Sequence, residues 1–340
     1  MKDEAQRDAE NFLSGLIGDG RPLLALTGIA LALSGAFALF LSATGAFLPH
    51  DVEFLGMSSQ QLCALHQCRI VHFMFHDRVA FGGVLIAIGT LYLWLAQFPL
   101  KHGEEWAWWV FAVSGVTGFA SFLCYLSYGY LDTWHGAATL ALLPLYLLGM
   151  WKSHALIVAP RVGFRSLLAP RAPLEWRTRA GFGRICLLLT GLGKVGAGSV
   201  IMLVGMTSVF VPQDLQYMGL QANELSAINP KLVPLIAHDR AGFGGGLLSC
   251  GLMVALIVWR ARINAALWQA LLISGTVGFA CAIGIHVSIG YTDLTHMAPA
   301  ILGAVIFATG IIFTAPANRA ARDRGGFAKA PHHNPDSPEK

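Results

Sequence analysis

Apolar residues fall in eight long runs along this chain, separated by shorter polar stretches. The runs cover about residues 22–48, 73–97, 106–128 and 136–151, then 185–210, 235–259, 265–289 and 295–315. A helix needs roughly 20 such residues to cross the ~30 Å hydrocarbon core of a bilayer. The 136–151 run is the shortest, and the stretch from Asp132 to Trp151 supplies the missing length. The pattern predicts an all-α integral membrane protein with eight transmembrane helices. Composition agrees: 55% hydrophobic, 12% charged and a mean hydropathy of +0.58 are too apolar for a soluble domain of 340 residues.

The runs are organised as two copies of one unit. His76-Asp77-Arg78 with Phe81-Gly82-Gly83 returns 162 residues later as His238-Asp239-Arg240 with Phe243-Gly244-Gly245. Ser114-Gly115 and Gly118-Phe119-Ala120 return as Ser274-Gly275 and Gly278-Phe279-Ala280. Gly129-Tyr130-Leu131-Asp132 with His135 returns as Gly290-Tyr291-Thr292-Asp293 with His296, and Pro49-x-Asp51 as Pro212-x-Asp214. Such self-similarity reads as an internal duplication. Residues 21–151 form repeat 1 and residues 184–316 repeat 2, each with four membrane helices. An even number of spans per repeat sends both halves into the membrane in the same orientation, related by an axis along the membrane normal. Residues 1–20 are a cytoplasmic lead, 152–183 a basic linker with Pro160, Pro170 and Pro173, and 317–340 a disordered cytoplasmic tail.

Charge then orients the chain. Lys152, Arg161, Arg165, Arg171, Arg177, Arg179 and Arg184 lie between the halves, Arg260 and Arg262 between spans six and seven, and Arg319, Arg322 and Arg324 after span eight. All fall on one side of an eight-span arrangement, which makes that side cytoplasmic. Both termini are then cytoplasmic, and the net charge of +4 is a topology signal rather than a nucleic-acid footprint. The opposite face carries Asp51, Asp77, Asp132, Asp214, Asp239 and Asp293. The first run aligns with span five, which cannot be cleaved off, so it reads as a retained span rather than a signal peptide.

Three readings follow for the duplicated polar residues. Ion pairs of Arg78 with Asp132 or Asp51, and of Arg240 with Asp293 or Asp214, could lock helix packing without further chemistry. Alternatively, His76 with His135 and His238 with His296 offer paired imidazoles at equal depth, the arrangement needed for axial ligation of haem b or for a metal. Asp77, Arg78, Asp132, Asp239, Arg240 and Asp293 then orient those ligands or pair with one another. In the third reading, ionisable groups inside a membrane handle protons or substrate. His286, which has no histidine counterpart, reads as a local hydrogen-bonding residue. Cys63, His66, Cys68 and His72 form a row peculiar to repeat 1. On an oxidising face Cys63 and Cys68 could form a disulfide, and the four could alternatively hold a metal.

The run His76-Asp77-Arg78, Phe81-Gly82, Trp106-Ala107-Trp108-Trp109, Ser114-Gly115, Gly118-Phe119 and Gly129-Tyr130-x-Asp132-x-x-His135 resembles a group of uncharacterised bacterial multi-pass membrane proteins. Some of its relatives are associated with a dihydroorotate-dehydrogenase-like flavin domain. That barrel would require some 250 residues of βα pattern, which this chain lacks. The resemblance therefore implies a membrane-redox setting in a bacterial inner membrane and transfers no catalytic residue. Together these readings favour a membrane redox module holding haem, metal or a quinone headgroup and working with other membrane redox subunits. A proton-coupled transporter or an assembly subunit is the alternative.

Overall fold

The computed structural model describes residues 17–123, 130, 133–157, 162–170 and 173–316, and every regular element among them is helical. Eight long helices correspond to the eight apolar runs. They are α1 (Arg21–Thr44), α4 (Arg69–Gln97), α5 (Glu105–Leu123), α6 (Thr133–Ser153), α7 (Arg179–Met206), α10 (Leu232–Arg260), α11 (Ala265–Ile289) and α12 (Leu294–Thr314). Four short helices lie between them: α2 (Pro49–Leu55) and α3 (Ser59–Cys63) after α1, and α8 (Pro212–Met218) and α9 (Ala222–Ile228) after α7. Six of the long helices, α1, α4, α7, α10, α11 and α12, are long and apolar enough to cross a membrane. The remaining two, α5 and α6, have 19 and 21 residues.

Helix ends differ from the run boundaries for local reasons. The first run is expected to reach residue 48, but α1 stops at Thr44 because Gly45 turns left-handed at φ 70°. Pro49 then opens α2, where its fixed φ suits a first helical position. In the second half, Thr178 caps α7 by accepting the Gly181 N–H at 3.1 Å, so the helix starts well before the expected residue 185. Arg179 to Gly183, expected in the linker, consequently join the helix together with Arg184. Arg184 is buried, and its guanidinium donates to Val258 O at 2.8 Å and Trp259 O at 2.5 Å, carbonyls at the end of α10 that no helical N–H satisfies.

The long helices close into a ring in the order α1, α4, α11, α12, α7, α10, α5, α6, with α4 and α10 also touching across its middle. Each half therefore sends its third long helix onto the second long helix of the other half. Adjacent glycines make this possible, because neighbouring residues on a helix point about 100° apart. On α4, Gly82 meets α1 at Gly35, while Gly83 faces Cys281 of α11. On α10, Gly244 meets α7 at Gly198 and Met202, while Gly245 faces Ser121 of α5. A Cβ added at Gly83 would lie 2.7 Å from that of Cys281, so the backbones approach as closely as small residues permit. Gly115 and Gly275 are occupied differently: the Tyr146 and Phe307 rings, respectively, fill the space above them.

Candidate functional site

The duplicated His-Asp-Arg triplets lie in the first third of α4 and α10, the two helices that meet in the middle of the bundle. Consecutive helical residues cannot share a face, and each triplet uses this to reach different neighbours. Arg78 donates from Nε to Asp239 Oδ2 at 2.7 Å and from Nη1 to Asp51 Oδ2 at 2.7 Å. Arg240 donates from Nε to Asp77 Oδ2 at 3.2 Å and from Nη1 to Asp214 Oδ2 and to Val209 O, the last at 2.9 Å. Each guanidinium thus bridges one carboxylate of its own half to one of the other. Asp51, Asp77, Asp214 and Arg240 are buried, and burial on that scale is tolerable only because every charge is paired and hydrogen-bonded.

The short helices deliver the second carboxylate of each network. Pro49 and Pro212 start α2 and α8, and the Asp two residues later turns back to accept a backbone N–H. Leu48 N donates to Asp51 Oδ2 at 3.3 Å and Val211 N to Asp214 Oδ2 at 2.9 Å. The tyrosines of the Gly-Tyr blocks satisfy the other oxygens: Tyr130 donates to Asp51 Oδ1 at 2.5 Å and Tyr291 to Asp214 Oδ1 at 2.8 Å. Burial and the neighbouring Asp214 carboxylate push the Tyr291 phenol upward, so it remains a donor at any physiological pH. Replacing Tyr291 with Phe leaves Asp214 short of one hydrogen bond to a charged acceptor. The expected loss is roughly 1.5–3 kcal/mol of stability, read by denaturant titration in detergent; an unchanged midpoint would disprove the bond's contribution.

The histidines cross between halves as well, which overturns the expected pairs. His76 does not face His135 and His238 does not face His296. His76 Nε2 instead lies 3.0 Å from His286 Nε2, and the His76 and His296 rings are 6.0 Å apart. His238 lies against His135, with centroids 5.5 Å apart and planes inclined at 33°. The exchange has one cause: α11 and the start of α12 lie beside α4, so the histidines of repeat 2 reach the triplet of repeat 1. Asp77 and Asp239 each lie against the preceding histidine, Nδ1 to Oδ1 3.1 Å in both halves, and His238 makes this contact a hydrogen bond.

Other expected residues are placed differently. Asp293 does not pair with Arg240; its Oδ1 accepts the His296 backbone N–H at 2.8 Å and so caps α12. Asp132 lies outside the described residues. Cys63 and Cys68 are joined in a disulfide, which removes both thiolates from the Cys63, His66, Cys68, His72 set. His66 is exposed beside that bridge, in left-handed backbone at φ 47°. His72 lies on the flank of α4 toward Leu39 and Ser288. Among the described residues, the histidines that approach as a ligand set are His76, His286 and His296. His286 makes the local hydrogen bond expected of it, with Ala282 O at 2.6 Å, but its meeting with His76 has no signal in the duplication, and Asp51 and Asp214 were expected only as alternative partners for the arginines. The duplicated Pro-x-Asp and Gly-Tyr blocks were the available signal for the carboxylates and their tyrosines.

Below the first network opens a cavity of about 270 Å³ between α1, α4, α5, α6 and α10. Asp51, Arg78, His135, His238 and Asp239 surround one end, with Trp134 at the same level. The shaft is apolar, lined by residues such as Phe37, Phe81 and Leu142. It extends to Tyr92 and Ser114, whose hydroxyls share a hydrogen bond of 3.0 Å. Arg78 and Tyr92 are fourteen residues apart on α4, about 21 Å of helix. Gly118 leaves the wall open: a Cβ there would meet only Ser249 Oγ, at 3.7 Å. Lys194 is separate from this space, its ammonium lying 5.1 Å above the Phe279 ring. No family model, curated protein or solved structure matches this chain.

Proposed function

We propose that the chain is a membrane redox module that takes a lipid-soluble quinone at the polar end of the first-half cavity. The observation that carries this reading is the cavity's division into a polar head and an apolar shaft, which together follow α4 over about 21 Å from Arg78 to Tyr92. Such a shape suits a planar headgroup on a long hydrocarbon chain, since a few placed polar groups fix orientation while apolar walls bury the rest. The head region sets one guanidinium, Arg78, against two carboxylates, Asp51 and Asp239. Its surplus of negative charge disfavours a phosphate headgroup and favours a neutral one with carbonyl or hydroxyl oxygens. His238, braced by Asp239, and His135 are the imidazoles at that end placed to hydrogen-bond a quinone oxygen.

This reading includes eight spans as two four-helix repeats in the same orientation, with α5 and α6 as the third and fourth. The matching contacts of the two halves support it, as do the positions of the duplicated motifs. It also places the chain in a bacterial inner membrane, with both termini cytoplasmic and the polar end on the opposite face, beside other redox subunits. Titration of the detergent-purified protein with a decyl benzoquinone, followed by tryptophan emission, tests the binding. Saturable quenching is expected, and Gly118→Leu, which fills the shaft without meeting backbone, should weaken it at least tenfold, about 1.4 kcal/mol. Absence of saturable quenching in the parent protein, or equal affinity in a well-folded Gly118→Leu variant, would refute the reading.

A further inference from the structure

We infer that His76, His286 and His296 form a binding site for a divalent first-row transition metal, separate from the quinone cavity. One nitrogen from each ring lies within 4.8 Å of the others, and His76 and His286 are buried. Zinc–imidazole bonds of about 2.0–2.1 Å put ligand nitrogens roughly 3.3–3.6 Å apart around a four- or three-coordinate ion. The trio therefore needs to tighten by about an ångström at its widest, while the 3.0 Å approach of His76 and His286 needs to relax slightly.

Proton placement gives the second argument. His286 Nδ1 is 2.6 Å from Ala282 O, a carbonyl that can only accept, so Nδ1 carries hydrogen and Nε2 presents a lone pair. His76 Nε2 approaches that lone pair. With neutral rings, a hydrogen between the two Nε2 atoms must come from His76, and its Nδ1 is then a second lone pair. That lone pair would face Asp77 Oδ1 at 3.1 Å, where the ring makes no well-directed hydrogen bond. Two acceptors would be pressed together in a buried site. A second proton on His76 would relieve the conflict, and so would a metal cation between the Nε2 atoms, which takes both lone pairs and leaves the His76 hydrogen on Nδ1, 3.1 Å from Asp77 Oδ1. A carboxylate behind a ligating histidine, on the ring nitrogen away from the metal, is the usual outer-shell arrangement.

The third ligand is supported independently. Tyr291 stacks on His296 with centroids 4.5 Å apart and planes inclined at 24°, and the His296 backbone is held by the Asp293 cap. Three neutral imidazoles with a fourth position left open suit zinc, copper, nickel or iron, and poorly suit magnesium or calcium. The first half lacks this site, because by the register of Ser127 with Ser288 and Gly129 with Gly290 the counterpart of His286 is Tyr125.

The test uses the full chain carrying an affinity tag without histidine, purified in detergent, exposed to Zn²⁺ or Co²⁺, desalted and analysed for metal. About one ion per chain is expected, with the visible bands of low-coordinate cobalt in the Co²⁺ sample. His286→Tyr, which installs the residue of the other half, and His296→Ala should each cut occupancy at least tenfold while the protein elutes as a single species. His135→Ala and Gly118→Leu should retain the metal, which separates this site from the quinone reading. A well-folded parent protein that takes up no metal, or uptake unchanged in both His286→Tyr and His296→Ala, would overturn the assignment. So would uptake lost in His135→Ala.

Discussion

Replacing Arg240 with Ala is expected to cost about 3–5 kcal/mol of stability, the usual penalty for removing one partner of a buried ion pair. Arg240 is only 4% exposed, and its loss would strand Asp77 and Asp214 and free the Val209 carbonyl. Arg78 holds an equivalent position but its side chain is 14% exposed, so water can partly replace it and Arg78→Ala should cost less. Thermal or denaturant unfolding in detergent of the two variants, side by side, reads the difference. Equal and small losses would mean that the networks do not hold the bundle together. Arg240→Met is informative too, because the stranded carboxylates, rather than the lost volume, dominate the penalty. It should be nearly as damaging as Ala.

The second large effect concerns the linker. If the halves were independent units joined by residues 152–183, cutting that segment would release them. The structure instead packs α5 on α10 and α11 on α4, and ties Arg78 to Asp239 and Arg240 to Asp77. A protease site introduced between Leu168 and Leu174, cleaved after folding, should therefore leave two fragments that co-elute on size exclusion in mild detergent. Adding Asp77→Asn together with Asp239→Asn, which removes both carboxylates that cross between the halves, should promote their separation. Fragments that part immediately from the parent sequence would contradict the exchanged packing.

Much of this architecture was legible beforehand, and the failures have a pattern. Apolar run length is a local property, and all eight expected runs became long helices, with errors confined to ends ruled by Gly45, Pro49 and the Thr178 cap. The pairing of Arg78 with Asp51 and of Arg240 with Asp214 was among the expected alternatives. The pairing of each arginine with the other half's aspartate was not, nor was the crossed grouping of the histidines. His286 makes the expected local hydrogen bond, to Ala282 O, but its meeting with His76 leaves no trace in the duplication, because no histidine recurs at its counterpart.

The sequence by itself determined an all-helical, strongly apolar chain, the duplicated His-Asp-Arg, Pro-x-Asp and Gly-Tyr blocks, and the place of each block within its apolar run. These follow from one-dimensional facts: how many apolar residues run together, and how far a motif lies from the end of its run. Only the tertiary structure decided which motif meets which. Each block stands in both halves, so contacts within a half and between halves fit the linear pattern equally well. The choice rests on which surfaces pack, Gly83 against Cys281 and Gly245 against Ser121, and that complementarity exists only once the helices stand side by side.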